Sequence, residues 1–322
     1  MLRQEHKFIH KHLLELQSLS KEDIELILET ARPFKTLFTR SIKKVPTLRG
    51  RTVVLLFYEP STRTRTSFEL AAKRLSADTV NIAVQTSSVQ KGESLIDTAK
   101  TLESMKADFI VIRHFYSGAP YLLSQYVSSS IINAGDGFHE HPTQGLLDIF
   151  TIKEKKGKVK DLKVVIVGDI LHSRVARSNL WGLTKLGAKV VLCGPPTLIP
   201  LDIDKIFPQV EIEYNLDKAI KNADVINILR VQFERQLEHL FPSVREYSLL
   251  YGMNKDRLKH AKNDVLILHP GPMNRGIEIT TDIADGLHSV INEQVTNGIA
   301  VRMAILYLLS IANSKPKKEL PK

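Results

Sequence analysis

The chain has 322 residues, enough for two domains that each bury a core, and its 43% hydrophobic and 25% charged residues match ordinary folded proteins rather than disordered or stapled ones. A single cysteine, Cys193, rules out an intrachain disulfide and makes a reducing cytoplasm the expected compartment. The formal charge of +10 is concentrated in the turn Lys153 to Asp161 and the Pro- and Lys-rich tail Lys315 to Lys322, so a nucleic-acid footprint is not expected, and small acidic substrates fit better.

In chain order, Met1 to Leu16 is broken up by Arg3, Glu5, His6, Lys7, His10, Lys11 and His12, so it lacks the apolar core of a signal peptide. Ser20 followed by Asp23 predicts a capping-box start for a helix through about Phe38, with Pro33 expected to kink it. Thr52 to Phe57, Phe109 to Ile112, Lys163 to Val167, Lys189 to Leu192, Asp224 to Leu229 and Asp264 to Leu268 are short apolar runs. They alternate with amphipathic segments, the pattern of buried parallel strands joined by crossover helices, so the fold class is α/β with doubly wound parallel sheets. Pro142 to Lys155 reads as a helix ending in the Lys-rich turn around Gly157, after which a second strand-helix series begins. Val290 to Ile311 reads as a helix long enough to pack back on the first half. Its uninterrupted apolar stretch, Met303 to Ala312, follows Arg302 and falls short of the ~20 residues that cross a bilayer, so a soluble protein with no membrane partner is expected.

The chemistry concentrates in loops after the apolar runs. Phe57 to Glu69, FYEPSTRTRTSFE, places Ser61, Thr62, Arg63 and Thr64 at a strand-to-helix turn. There the backbone N–H groups and the helix dipole favour an anion, and the hydroxyls and a bidentate arginine add donors. Two arginines one residue apart repel unless an anion or carboxylate compensates them. Arg113 closes the FIVI run, where ligands of parallel sheets bind. Asp136, His139 and His141 could ligate a metal, but no third imidazole or cysteine lies at ligand spacing, and no metal is expected. Only Gly168 stands where a dinucleotide fold would carry G-x-G-x-x-G, so no nicotinamide cofactor is expected.

The STRTRTS run with its preceding F-x-E resembles the signature of the aspartate and ornithine carbamoyltransferases, and the likeness extends from Leu13 to about Ala312. It implies that Ser61, Thr62, Arg63 and Thr64 bind the phosphate of carbamoyl phosphate, with Glu59 in the position that matches the aspartate-specific members. In SSVQKGES, it implies that Lys91 and Ser87 belong to a loop reaching a neighbouring subunit, Lys91 touching both substrates, and hence a catalytic homotrimer. It assigns Arg113 a phosphate and carbonyl contact, His141 of HPTQ the carbamoyl oxygen, and Gln144 the carbamoyl NH2. Arg174 matches the arginine for the aspartate α-carboxylate, although Leu171 stands where a lysine is frequent. Arg230 and Gln232 match R-x-Q-x-E-R, with Arg230 on the β-carboxylate and Glu234 and Arg235 positioning the loop. In HPGPMNRG, the Gly271 carbonyl and Pro272 face the carbamoyl group and the attacking amine.

The resemblance thus implies a carbamoyl-phosphate domain over 1–150, with the helix 290–312 packing back on it. An aspartate domain over 151–289 and a tail over 313–322 complete the chain. An ornithine-type enzyme, a non-catalytic binding paralogue and a nucleotide-dependent dehydrogenase share parts of the pattern. Whether regulatory or dihydroorotase chains join the trimer is left open.

Overall fold

The capping box forms as the sequence predicts. Ser20 Oγ accepts from Asp23 N, the Asp23 carboxylate accepts from Ser20 N, and α1 (Lys21–Thr36) runs on from it with Pro33 inside and a 3-10 turn after it. The structure, a computed structural model, describes residues 6–83, 93–231 and 243–313. Those residues fall into two units, one drawn from Met1–Gly137 with Gly298–Lys322 and the other Phe138–Asn297.

In the first unit β1 (Thr52–Phe57), α2 (Thr62–Arg74), β2 (Asp78–Ala83), α3 (Leu95–Ser104), β3 (Phe109–His114), α4 (Ala119–Ser124) and β4 (Ser130–Asp136) alternate. The four strands form an all-parallel sheet in the order β2-β1-β3-β4. Val54, Leu56, Ile110, Ile112 and Ile131 of the sheet pack with Ala99, Leu102 and Leu123 of the helices. The outer edge of β4 is covered by the N-terminal segment: Leu13 N donates to the Ile131 carbonyl (2.9 Å), and Asn133 N to the Leu13 carbonyl (2.8 Å).

The second unit begins with α5 (Pro142–Lys156), β5 (Lys163–Val167), α6 (Arg174–Lys185) and β6 (Lys189–Cys193). The short α7 (Ile203–Ile206), β7 (Glu211–Ile212), α8 (Leu216–Ala219) and β8 (Val225–Ile228) follow. Then come α9 (Val244–Tyr251), α10 (Lys255–Leu258), β9 (Leu266–Leu268) and α11 (Thr281–Ala284). Its parallel sheet has the order β7-β6-β5-β8-β9 over a core that includes Val165, Val191, Ile226, Ile228, Ile267 and Tyr247. The division between the units falls inside α12 (Ile291–Asn313).

By length and composition α12 could cross a membrane, which the sequence reading, counting only its last apolar stretch, did not anticipate. Within the first unit it is a core helix: Val301, Ala304 and Ile305 are buried, and so is Arg302, which donates to Ser67 Oγ (2.8 Å) and lies over the Phe68 ring of α2 (5.0 Å).

Candidate active site

Both sheets reverse their strand order once, between β1 and β3 in the first and between β5 and β8 in the second. A crevice opens at the carboxyl ends of the strands at such a reversal, and ligands of open parallel sheets bind there. Ser61 to Thr64, Arg113, Arg174 and Arg230 sit at these two reversals.

In the first unit, Ser61 caps α2 after β1 and its hydroxyl accepts from Thr64 N (3.4 Å). Thr62 and Arg63 occupy the exposed first turn, and Thr64 is buried behind them. Arg113 is the next-to-last residue of β3, paired in register with Phe57 of β1, so strand pairing fixes its backbone beside the start of the STRT turn. Its guanidinium is held by Glu59 Oε1 (2.7 Å from Nη2) and by the Ala134 carbonyl (3.2 Å from Nη1), the two charged side chains being 12% and 20% exposed. Tyr58 N donates to the Arg113 carbonyl (2.9 Å), carrying the β1–β3 pairing past the strand end. Glu59 is therefore the carboxylate that orients this arginine. Asp136, offered by spacing as a metal ligand, is fully buried and accepts from Asn133 Nδ2 and Gly118 N (both 2.7 Å), so it organises the β4 turn.

In the second unit, Arg174 opens α6 beyond β5 and is buried, with Ser173 capping the helix by accepting from Ala176 N. Arg230 follows β8, whose end is tied to β5 where Leu229 N donates to the Val167 carbonyl (2.8 Å). Gly168, at φ +124°, lets these strand ends approach: a Cβ there would lie 3.2 Å from the Leu229 carbonyl oxygen and 3.0 Å from Tyr247 Oη. The Gly271–Pro272 turn follows β9, and Asn274 Nδ2 donates to the Val231 carbonyl (3.2 Å), so this turn is bound to the segment that carries Arg230.

His141 caps α5 with Pro142 in the first turn, as the sequence predicts. Its backbone N donates to Ser178 Oγ (2.9 Å), which donates in turn to Glu140 Oε2 (2.7 Å). Gln144, one turn on, donates from Nε2 to Asp148 (2.9 Å). Burial pushes the Asp148 carboxyl up to about 6, against the amide hydrogen bonds that lower it. Sequence reasoning passed over Asp148. The only hint lay in the four-residue interval from Gln144, since the groups that make it a hub come from distant segments.

The first unit thus assembles Glu59, Ser61, Thr62, Arg63, Thr64 and Arg113. The second assembles Arg174, Arg230 and the Gly271–Pro272 turn, with His141 and Gln144 on α5. Lys91, Ser87, Gln232, Glu234 and Arg235 lie outside the described residues.

Residues 11–154 match the family model for the carbamoyl-phosphate-binding domain of aspartate/ornithine carbamoyltransferases, and residues 160–309 match that for the aspartate/ornithine-binding domain. An aspartate carbamoyltransferase catalytic subunit of Endomicrobium trichonymphae is 64% identical, covering 96% of this chain and 97% of that relative. The aspartate transcarbamoylase of Trypanosoma cruzi, solved with carbamoyl aspartate and phosphate, superimposes with a TM-score of 0.85 at 29% identity, over 95% of this chain and 99% of that one. The ornithine carbamoyltransferase of Pyrococcus furiosus gives 0.84 at 34% identity, over 94% and 98%. Backbone likeness alone does not separate the two second substrates.

Proposed function

The chain belongs to the aspartate/ornithine carbamoyltransferase family, and from that premise we propose that it transfers the carbamoyl group of carbamoyl phosphate to L-aspartate. The products are N-carbamoyl-L-aspartate and phosphate, in the route to pyrimidine nucleotides. The observation that carries the choice of aspartate is the set of full-length relatives, 57% to 64% identical, that are aspartate carbamoyltransferase catalytic subunits. Glu59 and the RVQFER sequence favour the same choice.

The electrostatic problem is to hold two anions together. Ser61, Thr62, Arg63, Thr64 and Arg113 take the phosphate, and Lys91, Arg174, Arg230 and Gln232 take the aspartate carboxylates. A charge-assisted hydrogen bond contributes about 1.5–3 kcal/mol, so each arginine is worth tenfold or more in binding or rate. The deprotonated amine attacks the carbamoyl carbon: the N–C bond forms, the C–O bond to phosphate breaks, and the amine proton passes to the departing phosphate. Charge gathers on the carbamoyl oxygen in the tetrahedral state, where Thr64, Arg113 and His141 donate, each donor worth on the order of 3 kcal/mol. Gln144, the Gly271 carbonyl and Pro272 orient the carbamoyl group and the amine. The residues and the leaving phosphate supply the chemistry without a cofactor.

The test is product analysis with L-aspartate and L-ornithine offered separately. Carbamoyl aspartate and phosphate in equal amounts, with no carbamoyl transfer to ornithine, is the expected result, and citrulline formation would overturn the substrate assignment. We further propose a cytoplasmic homotrimer in which Lys91 and Ser87 act in a neighbouring subunit's site. Mixing inactive Arg63→Ala and Lys91→Ala chains then restores part of the activity, and mixed trimers without activity would refute the shared site.

A further inference from the structure

Asp148 lies on α5 four residues after Gln144, on the same helix face, and is fully buried. Among the described residues its hydrogen-bond neighbours are four primary amides, one from its own helix and three from other elements. Gln144 Nε2 (2.9 Å) and Gln294 Nε2 of α12 (2.7 Å) donate to Oδ1, and Asn179 Nδ2 of α6 (2.8 Å) and Asn227 Nδ2 of β8 (3.4 Å) face Oδ2. The two carboxyl oxygens accept from all four amides, so each amide turns its NH2 towards Asp148. For Gln144 this has a chemical result: the carbonyl oxygen Oε1 is committed to the opposite side.

The same carboxylate reaches the Gly271–Pro272 turn. Gln294, fixed by donating to Asp148, accepts from His269 N at Oε1 (3.0 Å), and His269 Nδ1 accepts from Gly271 N (2.8 Å). Because Nδ1 is an acceptor, the ring carries its proton on Nε2 and donates it to Glu278 (3.2 Å). One buried carboxyl group thus anchors both motifs assigned to the carbamoyl group.

We propose that Asp148 is a positioning residue that selects the acyl phosphate: by holding the NH2 of Gln144 it presents the Gln144 carbonyl oxygen to the substrate, favouring an acyl phosphate that carries an N–H donor over one of the same shape that carries a methyl group. This rests on the reading that Gln144 meets the carbamoyl NH2.

Carbamoyl phosphate and acetyl phosphate are the probes, because they differ only in NH2 against CH3. Their affinities, acetyl phosphate as a competitor of carbamoyl phosphate, give a discrimination ratio in which general packing damage cancels. Gln144→Ala is expected to lower the ratio about tenfold, the value of one hydrogen bond. Asp148→Asn, which keeps the shape but lets Gln144 turn over, is expected to lower it comparably, with no further fall in the double variant. An unchanged ratio in Gln144→Ala would overturn the assignment of Gln144 itself. A fall in Gln144→Ala together with an unchanged ratio in Asp148→Asn, both phosphates weakening equally, would overturn the proposal and leave the site assignment standing. Should Asp148→Asn not fold, the exchanged pair Asp148→Asn with Gln144→Glu carries the test, since it keeps a hydrogen bond between positions 144 and 148 with its direction reversed, the net charge and an outward oxygen, while Gln294, which shares Oδ1, loses its acceptor. A ratio within about threefold of the parent supports the proposal, and a ratio as low as that of Gln144→Ala refutes it.

Discussion

Replacing Arg113 by lysine isolates geometry from charge at the first unit's strand reversal. The guanidinium spans Glu59 Oε1 at 2.7 Å and the Ala134 carbonyl at 3.2 Å, which leaves a planar fork with a fixed direction at the end of β3. A lysine ammonium has the same charge but no fork, and once it pairs with Glu59 it has no second rigid arm for a phosphate or carbonyl oxygen. The expected loss is one charge-assisted hydrogen bond, about 1.5–3 kcal/mol, or roughly 10- to 150-fold in affinity. Because Glu59 keeps a cationic partner, the stability cost should be about that of the lost Ala134 hydrogen bond, roughly 0.5–1.5 kcal/mol. Calorimetric titration with carbamoyl phosphate, alongside urea unfolding of the same samples, reads both quantities. Affinity within twofold of the parent in a folded Arg113→Lys protein would refute the reasoning, because the arginine would then have no directional role.

Burial raises the Asp148 carboxyl to about 6 from about 3.9 in an unfolded chain, so the folded state holds the extra proton between those values and its contribution to stability falls as pH rises through that window, by about 3 kcal/mol in full. Urea unfolding should show the parent losing stability relative to Asp148→Asn from pH 4 to pH 7, and a pH-independent difference would contradict it. Cys193 is buried, and burial pushes its thiol up to about 12; an aromatic disulfide reagent at pH 8 should leave the native protein untouched and label one thiol after denaturation, whereas rapid native labelling would show the site to be open. Gly168→Ala should cost about 2 kcal/mol or more in unfolding measurements, because of its φ of +124° and the Leu229 carbonyl 3.2 Å from the added Cβ; a neutral substitution would show that the β5 and β8 ends are not tightly joined.

The strands readable in the sequence are those whose burial is achieved by side chains alone. β1, β3, β5, β6, β8 and β9 coincide with the apolar runs to within a residue or two. β2 escaped notice because it is an edge strand with Asp78 and Asn81 in it and Val80 exposed. β4 escaped for a different reason: all seven of its residues are buried, yet only Ile131 and Ile132 form an apolar pair. Asn133 and Asp136 are buried because they bond to each other, with Asn133 also donating to the Leu14 carbonyl. The same distinction governs the candidate site. Ser61 to Thr64 drew attention as polar donors after an apolar strand, which stand out in one dimension, whereas Arg113, Arg174 and Arg230 were picked out by the resemblance and are placed by the fold at strand ends. The Glu59–Arg113 pair, the Asp148 hub and the Arg302–Ser67 bond join residues 54, up to 146 and 235 positions apart, so chain folding alone creates them.

The positions at which two anions come to rest test the proposed site most directly. A crystal structure grown with carbamoyl phosphate and succinate, an aspartate without its amine, should place phosphate oxygens within about 3 Å of Ser61, Thr62, Arg63, Thr64 and Arg113, and carboxylates at Arg174 and Arg230. Phosphate density away from the first turn of α2, with either arginine of the second unit turned from the succinate, would contradict it.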